Sequence, residues 1–174
     1  MWHIQRLVDT SIQTLETLDV LVKQCFRTSH SLQQLREDQL KHGKNNALIV
    51  FTDTFDFVSQ LTVYPQRREA YMSDVCVSPK GRNKGLFKTS LDVIKDHLVG
   101  YAITLDASVD MDGGVSEAQR IRIFQRAGFL VNDFADTWTD GMYNRVPVTP
   151  IFQDGIIVGC SSNGLRLPCP MILR

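Results

Sequence analysis

Apolar residues recur every three or four positions at Ile12, Leu15, Leu18, Val22 and Phe26, a spacing that predicts a helix with one buried face. The short apolar stretch 3–8 before it reads as a first strand. A second helix begins soon after. Ser31 and Gln34 make a capping-box pattern, Leu32 and Leu35 keep the helical spacing, and Gly43 is placed to stop it. The period then shortens. Segments 47–52, 58–64 and 71–78 are rich in β-branched and aromatic residues that partly alternate, with polar breaks at 53–56 and 65–68, so an antiparallel meander is predicted.

Helical spacing returns over 84–99, where Phe87, Leu91, Ile94 and Leu98 form a stripe suited to face a sheet, and Gly100 closes the element. Ile103 and Leu105 alternate with polar neighbours as a strand. Ser116 with Gln119 opens a further helix that carries Ala118, Ile121 and Phe124 inward and ends at Gly128. Segments 129–131 and 142–146 are predicted as the last strands of the domain. Between them, Asp140-Gly141 suits a hairpin turn while Trp138 suits a strand, and both readings stand. This divides the chain into a domain over 1–146 and a C-terminal arm or hairpin over 147–174. The apolar residues Ile156, Ile157, Val158, Met171, Ile172 and Leu173 of that arm call for packing on the domain or on a second subunit, as in a homodimer.

The chain has 174 residues, enough for a sizeable core without staples. Lys plus Arg and Asp plus Glu each number 19, so no net positive field draws it to nucleic acid or to an anionic membrane. No run approaches the roughly 20 apolar residues of a membrane span, and the first residues lack a signal-peptide pattern, so a cytoplasmic protein is expected. Cys25, Cys76, Cys160 and Cys169 are scattered, with no His at ligand spacing. The expectation is reduced thiols, no zinc site and no other metal site. His3, His30, His42 and His97 do not cluster and receive no role.

The chemically informative stretch is Val75-Cys76-Val77-Ser78-Pro79-Lys80-Gly81-Arg82-Asn83-Lys84-Gly85-Leu86-Phe87, a strand passing through a basic, Gly-containing loop into a helix. Free N–H groups at a helix start and the helix dipole favour a bound anion by roughly 0.3 to 1 kcal/mol. Gly81 and Gly85 are expected to let a phosphate approach the main chain, with Arg82, Lys84 and Lys88 as countercharge. Neither the Gly-x-x-x-x-Gly-Lys-Ser/Thr loop of ATP-binding proteins nor the G-x-G-x-x-G dinucleotide fingerprint is present.

Val77-Ser78-Pro79 followed by Arg82-Asn83-Lys84-Gly85-Leu86-Phe87 resembles the "V-x-P" turn and R/Q-x-x-G-x-G/A signature of the GNAT acyltransferases, with Phe87 in place of the small last residue. Ile123-Phe124-Gln125-Arg126-Ala127-Gly128-Phe129 is similar to the end of that family's next helix. The order of predicted elements over 3–146 also matches. The resemblance implies an α/β (α+β) fold with a central mixed, mostly antiparallel sheet of about six to seven strands flanked by about four helices. It implies acetyl-CoA, or a related thioester, with its pyrophosphate on the amides of Arg82, Asn83, Lys84, Gly85, Leu86 and Phe87. The pantetheine arm would run beside main-chain groups of Val75 and Val77.

Acetyl transfer to a primary amine of a small molecule or protein is the activity so implied. Many relatives carry a proton-donating Tyr where this chain has Phe124. The same comparison puts a base on the strand before the signature, near Tyr71. Strand alternation sets Glu69, Tyr71 and Ser73 on one face, with Asp74 expected on the other. Glu69 is the candidate water-mediated base and Tyr71 a positioning group or acid. Asp110, Asp112, Gly113 and Gly114, in the loop before the last long helix, form a candidate site for a cationic acceptor or a plain connection. A CoA-binding module without turnover is the alternative that Phe87, Phe124 and the apolar tail favour. An RNA-binding domain has no aromatic-basic motif to support it.

Overall fold

The computed structural model describes residues 1–26, 30–107, 115–139 and 141–174, with the side chains of residues 138 and 139 outside the description. The fold is α+β. Strand β1 (Trp2–Arg6) leads into helices α1 (Ile12–Cys25) and α2 (Leu32–Lys41). Next come β2 (Ala47–Thr52), β3 (Phe57–Tyr64), β4 (Glu69–Val77), α3 (Leu86–His97), β5 (Ala102–Ala107) and α4 (Glu117–Arg126). The remaining strands are β6 (Leu130–Val131), β7 (Phe134–Thr139), β8 (Met142–Pro147), β9 (Thr149–Gln153), β10 (Ile156–Ser162), β11 (Leu165–Leu167) and β12 (Cys169–Leu173). The main sheet has the hydrogen-bonded order β1-β2-β3-β4-β5-β12-β6. Its pairs β1/β2, β2/β3, β3/β4, β5/β12 and β12/β6 are antiparallel.

The chain divides into two compact units, Met1–Ala102 and Ile103–Arg174. In the first, Leu15, Leu18, Leu21 and Val22 of α1 and Leu32 of α2 bury against Ala47, Ile49 and Phe51 of β2, together with Val58 and Cys76. Ile12 of the predicted stripe stays half in solvent, because it occupies the first helical turn beside the Ser11 cap. The Ser31 hydroxyl accepts from Gln34 N at 3.0 Å, but the Gln34 side chain turns forward to Asp38, so only half of the predicted box forms. Asp19 of α1 completes the cap by accepting from Leu32 N at 2.7 Å, a buried carboxylate placed at the positive end of α2.

In the second unit the Ser116–Gln119 box forms in both directions, with Gln119 N donating to Ser116 Oγ at 3.2 Å and Ser116 N to Gln119 Oε1 at 2.9 Å. Segments 134–139 and 142–147, β7 and β8, pair as a separate two-stranded hairpin. Segment 147–174 holds β9 to β12, of which β12 hydrogen-bonds between β5 and β6 and buries Met171 and Ile172. Arg166 crosses the gap left by Gly159, where a Cβ would sit 2.5 Å from its guanidinium, and donates to Glu117 at 3.0 Å. A side chain at 159 would therefore block that ion pair.

The expectation of four reduced thiols is corrected. Cys25 of α1 is disulfide-bonded to Cys76 of β4, with Cα atoms 5.9 Å apart, and Cys160 of β10 to Cys169 of β12, at 5.1 Å. Sequence spacing hid both pairs because topology alone brings them together. No helix among the described residues is long and apolar enough to cross a membrane.

Candidate active site at the β4 to α3 loop

Strand β4 carries one residue more than β3 between the pairs Gln60↔Ser73 and Val58↔Cys76, so Asp74 and Val75 fall out of the ladder with β3 as a bulge. Asp74 takes a left-handed φ of 51° there. The bulge resets the alternation of side chains. Tyr71 pairs with Thr62 and Ser73 with Gln60, which in turn oppose Ala47 and Ile49 on the face covered by α1 and α2. Glu69 has the same phase, opposite Tyr64. Beyond the bulge it is Cys76 that takes this face, where it meets Cys25, and Val77 takes the other.

Glu69 is 19% exposed and faces the Arg67 guanidinium at 3.7 Å. Asp74, which alternation alone would only turn away from Glu69, has its carboxyl pushed up from the usual range by burial, with His30 acting in the opposite sense. It is a second carboxyl at the site that sequence reasoning left without a role. A polar residue that tolerates φ > 0 inside a strand pattern was the available signal.

After β4, Ser78 caps a turn of 3-10 helix, Pro79–Gly81, by accepting from Gly81 N at 3.1 Å. The Ser78 hydroxyl donates to Asp56 Oδ1 at 2.9 Å, and Ser78 N donates to the Asp56 carbonyl at 2.8 Å. Thr54 donates to Asp56 Oδ2 at 2.9 Å, and the Lys80 ammonium lies 3.5 Å from Oδ1. The Thr54 hydroxyl first, then the Ser78 hydroxyl and the Lys80 charge, hold the Asp56 carboxyl below the usual carboxylate range against the effect of burial.

Gly81 does not serve the expected close approach of a phosphate. It is buried, and a Cβ there would come within 3.0 Å of both Asp56 Cβ and Leu86 Cδ1, so its smallness lets the turn seat on the 53–56 segment. Gly85 differs in both respects. It is exposed, has a φ of 68°, and a Cβ on it would meet nothing within 4 Å. It stands as N-cap of α3, which starts at Leu86 rather than at residue 84. The first-turn amides have no intrahelical acceptor by geometry. Arg82, Asn83, Lys84 and Lys88 are exposed around this helix start, and Asn83 is also left-handed, at φ 63°. Open space, outward amides and three cations fit a diphosphate.

In the second unit, Phe124 packs its ring against Phe129, with centroids 6.0 Å apart. Asp110, Asp112, Gly113 and Gly114 lie outside the described residues. A cleft of about 350 Å³ opens between α1 and α2, lined by Glu16, Asp19, Lys23 and Glu37 among others, and includes none of the β4 to α3 loop. No group able to hold a metal occurs among the described residues.

This architecture is the fold of the GNAT-superfamily acyl-CoA N-acyltransferases. The chain is similar to a protein described as an acetyltransferase of the GNAT family from Bacteroides thetaiotaomicron, at 17% identity and TM-score 0.60, over 98% of this chain and 85% of that one. It is also similar to an acyl-CoA N-acyltransferase from Pseudomonas aeruginosa, at 13% identity and TM-score 0.54, over 100% and 99% of the two chains. A spermidine N-acetyltransferase from Vibrio cholerae, in a mutant form, matches at 16% identity and TM-score 0.54, over 84% of this chain and 90% of its own. No protein-family model matches the sequence, and no curated protein does.

Proposed function

We propose that this chain transfers an acetyl group from acetyl-CoA to a primary amine of a small molecule or protein. The reading rests on one observation above the rest: the basic loop from Arg82 to Gly85 opens onto the start of α3, with Gly85 leaving the approach clear. The pyrophosphate would lie on the amides of residues 82–87. The pantetheine arm would run along main-chain groups of Val75 and Val77, where the bulge has already released Val75 from the β3 ladder.

An amine with a lysine-like pKa of about 10.4 is neutral in only roughly one molecule in 2,500 at pH 7, so deprotonation is the chemical demand on the site. Glu69, kept near Arg67, is the proposed base through a water, with Tyr71 and Ser73 on the same face to position the acceptor. The neutral amine then bonds to the thioester carbonyl carbon, the carbon–sulfur bond breaks, and the thiolate takes up the proton that the nitrogen loses on becoming an amide. The spermidine enzyme among the structural neighbours makes polyamines the first acceptors to try.

The test is thiol release from acetyl-CoA in the presence of polyamines, amino acids and lysine peptides. Amine-dependent release is expected, with Glu69→Gln lowering kcat by about a hundredfold or more and leaving the acetyl-CoA KM near its starting value. The second reading, a CoA-binding module without turnover, is favoured by Phe124, whose ring has no proton to give and packs on Phe129. Binding of CoA with no amine-dependent release decides for that module. We also infer a cytoplasmic location, against which the disulfides Cys25–Cys76 and Cys160–Cys169 weigh; disulfides trapped by alkylating intact cells would move the protein to an oxidising compartment.

A further inference from the structure

We propose that Asp56 is a positioning residue for the coenzyme, a strut that sets the β4 to α3 loop in its diphosphate-binding shape. The inference rests on the proposed function and assigns part of its site to a segment distant in sequence. Two strand ends meet at this point. Asp56 precedes β3, Ser78 follows β4, and the two are joined by the side-chain bond at 2.9 Å and the main-chain bond at 2.8 Å. Ser78 in turn caps the turn that ends at Gly81, and Gly81 is packed directly on Asp56. The Asp56 carboxylate is itself fixed from behind by Thr54. Asp56 N and Phe57 N donate to Thr52 Oγ1 at 3.0 and 3.2 Å, so the strut is anchored at the end of β2.

A carboxylate under an anion site is electrostatically costly unless its charge is already engaged. Here the Lys80 ammonium lies 3.5 Å from it, and three hydrogen-bond donors converge on its side chain and carbonyl. Lys80 thus has Asp56 as an ion-pair partner, while Arg82, Lys84 and Lys88 are exposed around the start of α3. A purely electrostatic site would be better without Asp56. A site whose affinity depends on several amides pointing at one diphosphate would be worse without it. The two views predict opposite signs.

The experiment is calorimetric titration of CoA into the wild type, Asp56→Ala, Asp56→Asn, Ser78→Ala and the Asp56→Ala/Ser78→Ala double variant, with Asp53→Ala as a control on the same turn. The expected result is a dissociation constant raised about tenfold by Asp56→Ala, less by Asp56→Asn, which keeps one acceptor, and hardly at all by Asp53→Ala. The double variant should be no worse than Asp56→Ala alone, because both substitutions cut one chain of contacts. Affinity unchanged or improved in Asp56→Ala, or losses that simply add in the double variant, overturns the inference while CoA binding by the wild type stands. A wild type that takes up no CoA overturns the parent reading, and this one with it. Should Asp56→Ala fail to fold, Asp56→Asn compared with Ser78→Ala carries the same sign test.

Discussion

Asp74 is the residue at which backbone and charge are both out of the ordinary. Its left-handed φ breaks the β4 ladder, and burial raises its carboxyl pKa. A group whose folded pKa lies above its unfolded one costs nothing below the unfolded value. It costs its full amount above the folded one, so its contribution to stability worsens as pH rises through that window. Asp53 and Asp56 have the opposite sign. His3 first, then the N-terminal ammonium, hold Asp53 down, and the Thr54 hydroxyl leads in holding Asp56 down, so these two contributions are lost as pH falls. Asp74→Asn, which keeps the shape and tolerates the same φ, should therefore raise the melting temperature at about pH 7 and have little effect at about pH 3. Thermal melts at the two pH values check this. A fall in stability at neutral pH would show that the ionised carboxylate is held by favourable contacts instead.

At the scale of elements, the bulge decides which face of β4 carries which chemistry. It puts Ser73 and Cys76, three residues apart, on one face, and so permits the bond to Cys25 in α1. The local pattern announced this only faintly, because the residue in the left-handed position is an aspartate rather than a glycine. By contrast, the Ser116–Gln119 cap of α4 was legible, since both halves of that interaction lie within one turn. The Ser31–Gln34 pattern was legible only in part, because Asp38 competes for the glutamine. Chain-entropy arguments give about 4 kcal/mol for a cross-link spanning 51 residues and about 2.5 kcal/mol for one spanning 9. Oxidised protein carrying Cys25→Ser and Cys76→Ser should thus lose more stability than protein carrying Cys160→Ser and Cys169→Ser, as read by denaturant midpoints. Equal losses, or thiols that react freely in unreduced protein, would contradict the pairing.

At the scale of the whole molecule, identities of 13% to 17% coexist with TM-scores of 0.54 to 0.60 among the structural neighbours described above. Layer packing tolerates most apolar substitutions that keep the spacing of buried positions, which is why the meander and the helices were readable in sequence. The insertion of β12 between β5 and β6 was not, since it depends on pairing between distant segments, and of the β7/β8 hairpin the sequence offered the turn and strands as open readings but not their separation from the main sheet. The central claim is that amides and cations around Gly85 grip two linked phosphates. It is tested most directly by calorimetric titration of CoA into wild-type protein and into Gly85→Glu, which adds a negative charge at the helix start and strains a φ of 68°. Saturable one-to-one uptake by the wild type is expected, with affinity at least about tenfold weaker in a still-folded variant. No uptake by folded wild type, or equal affinity in the two proteins, would contradict it.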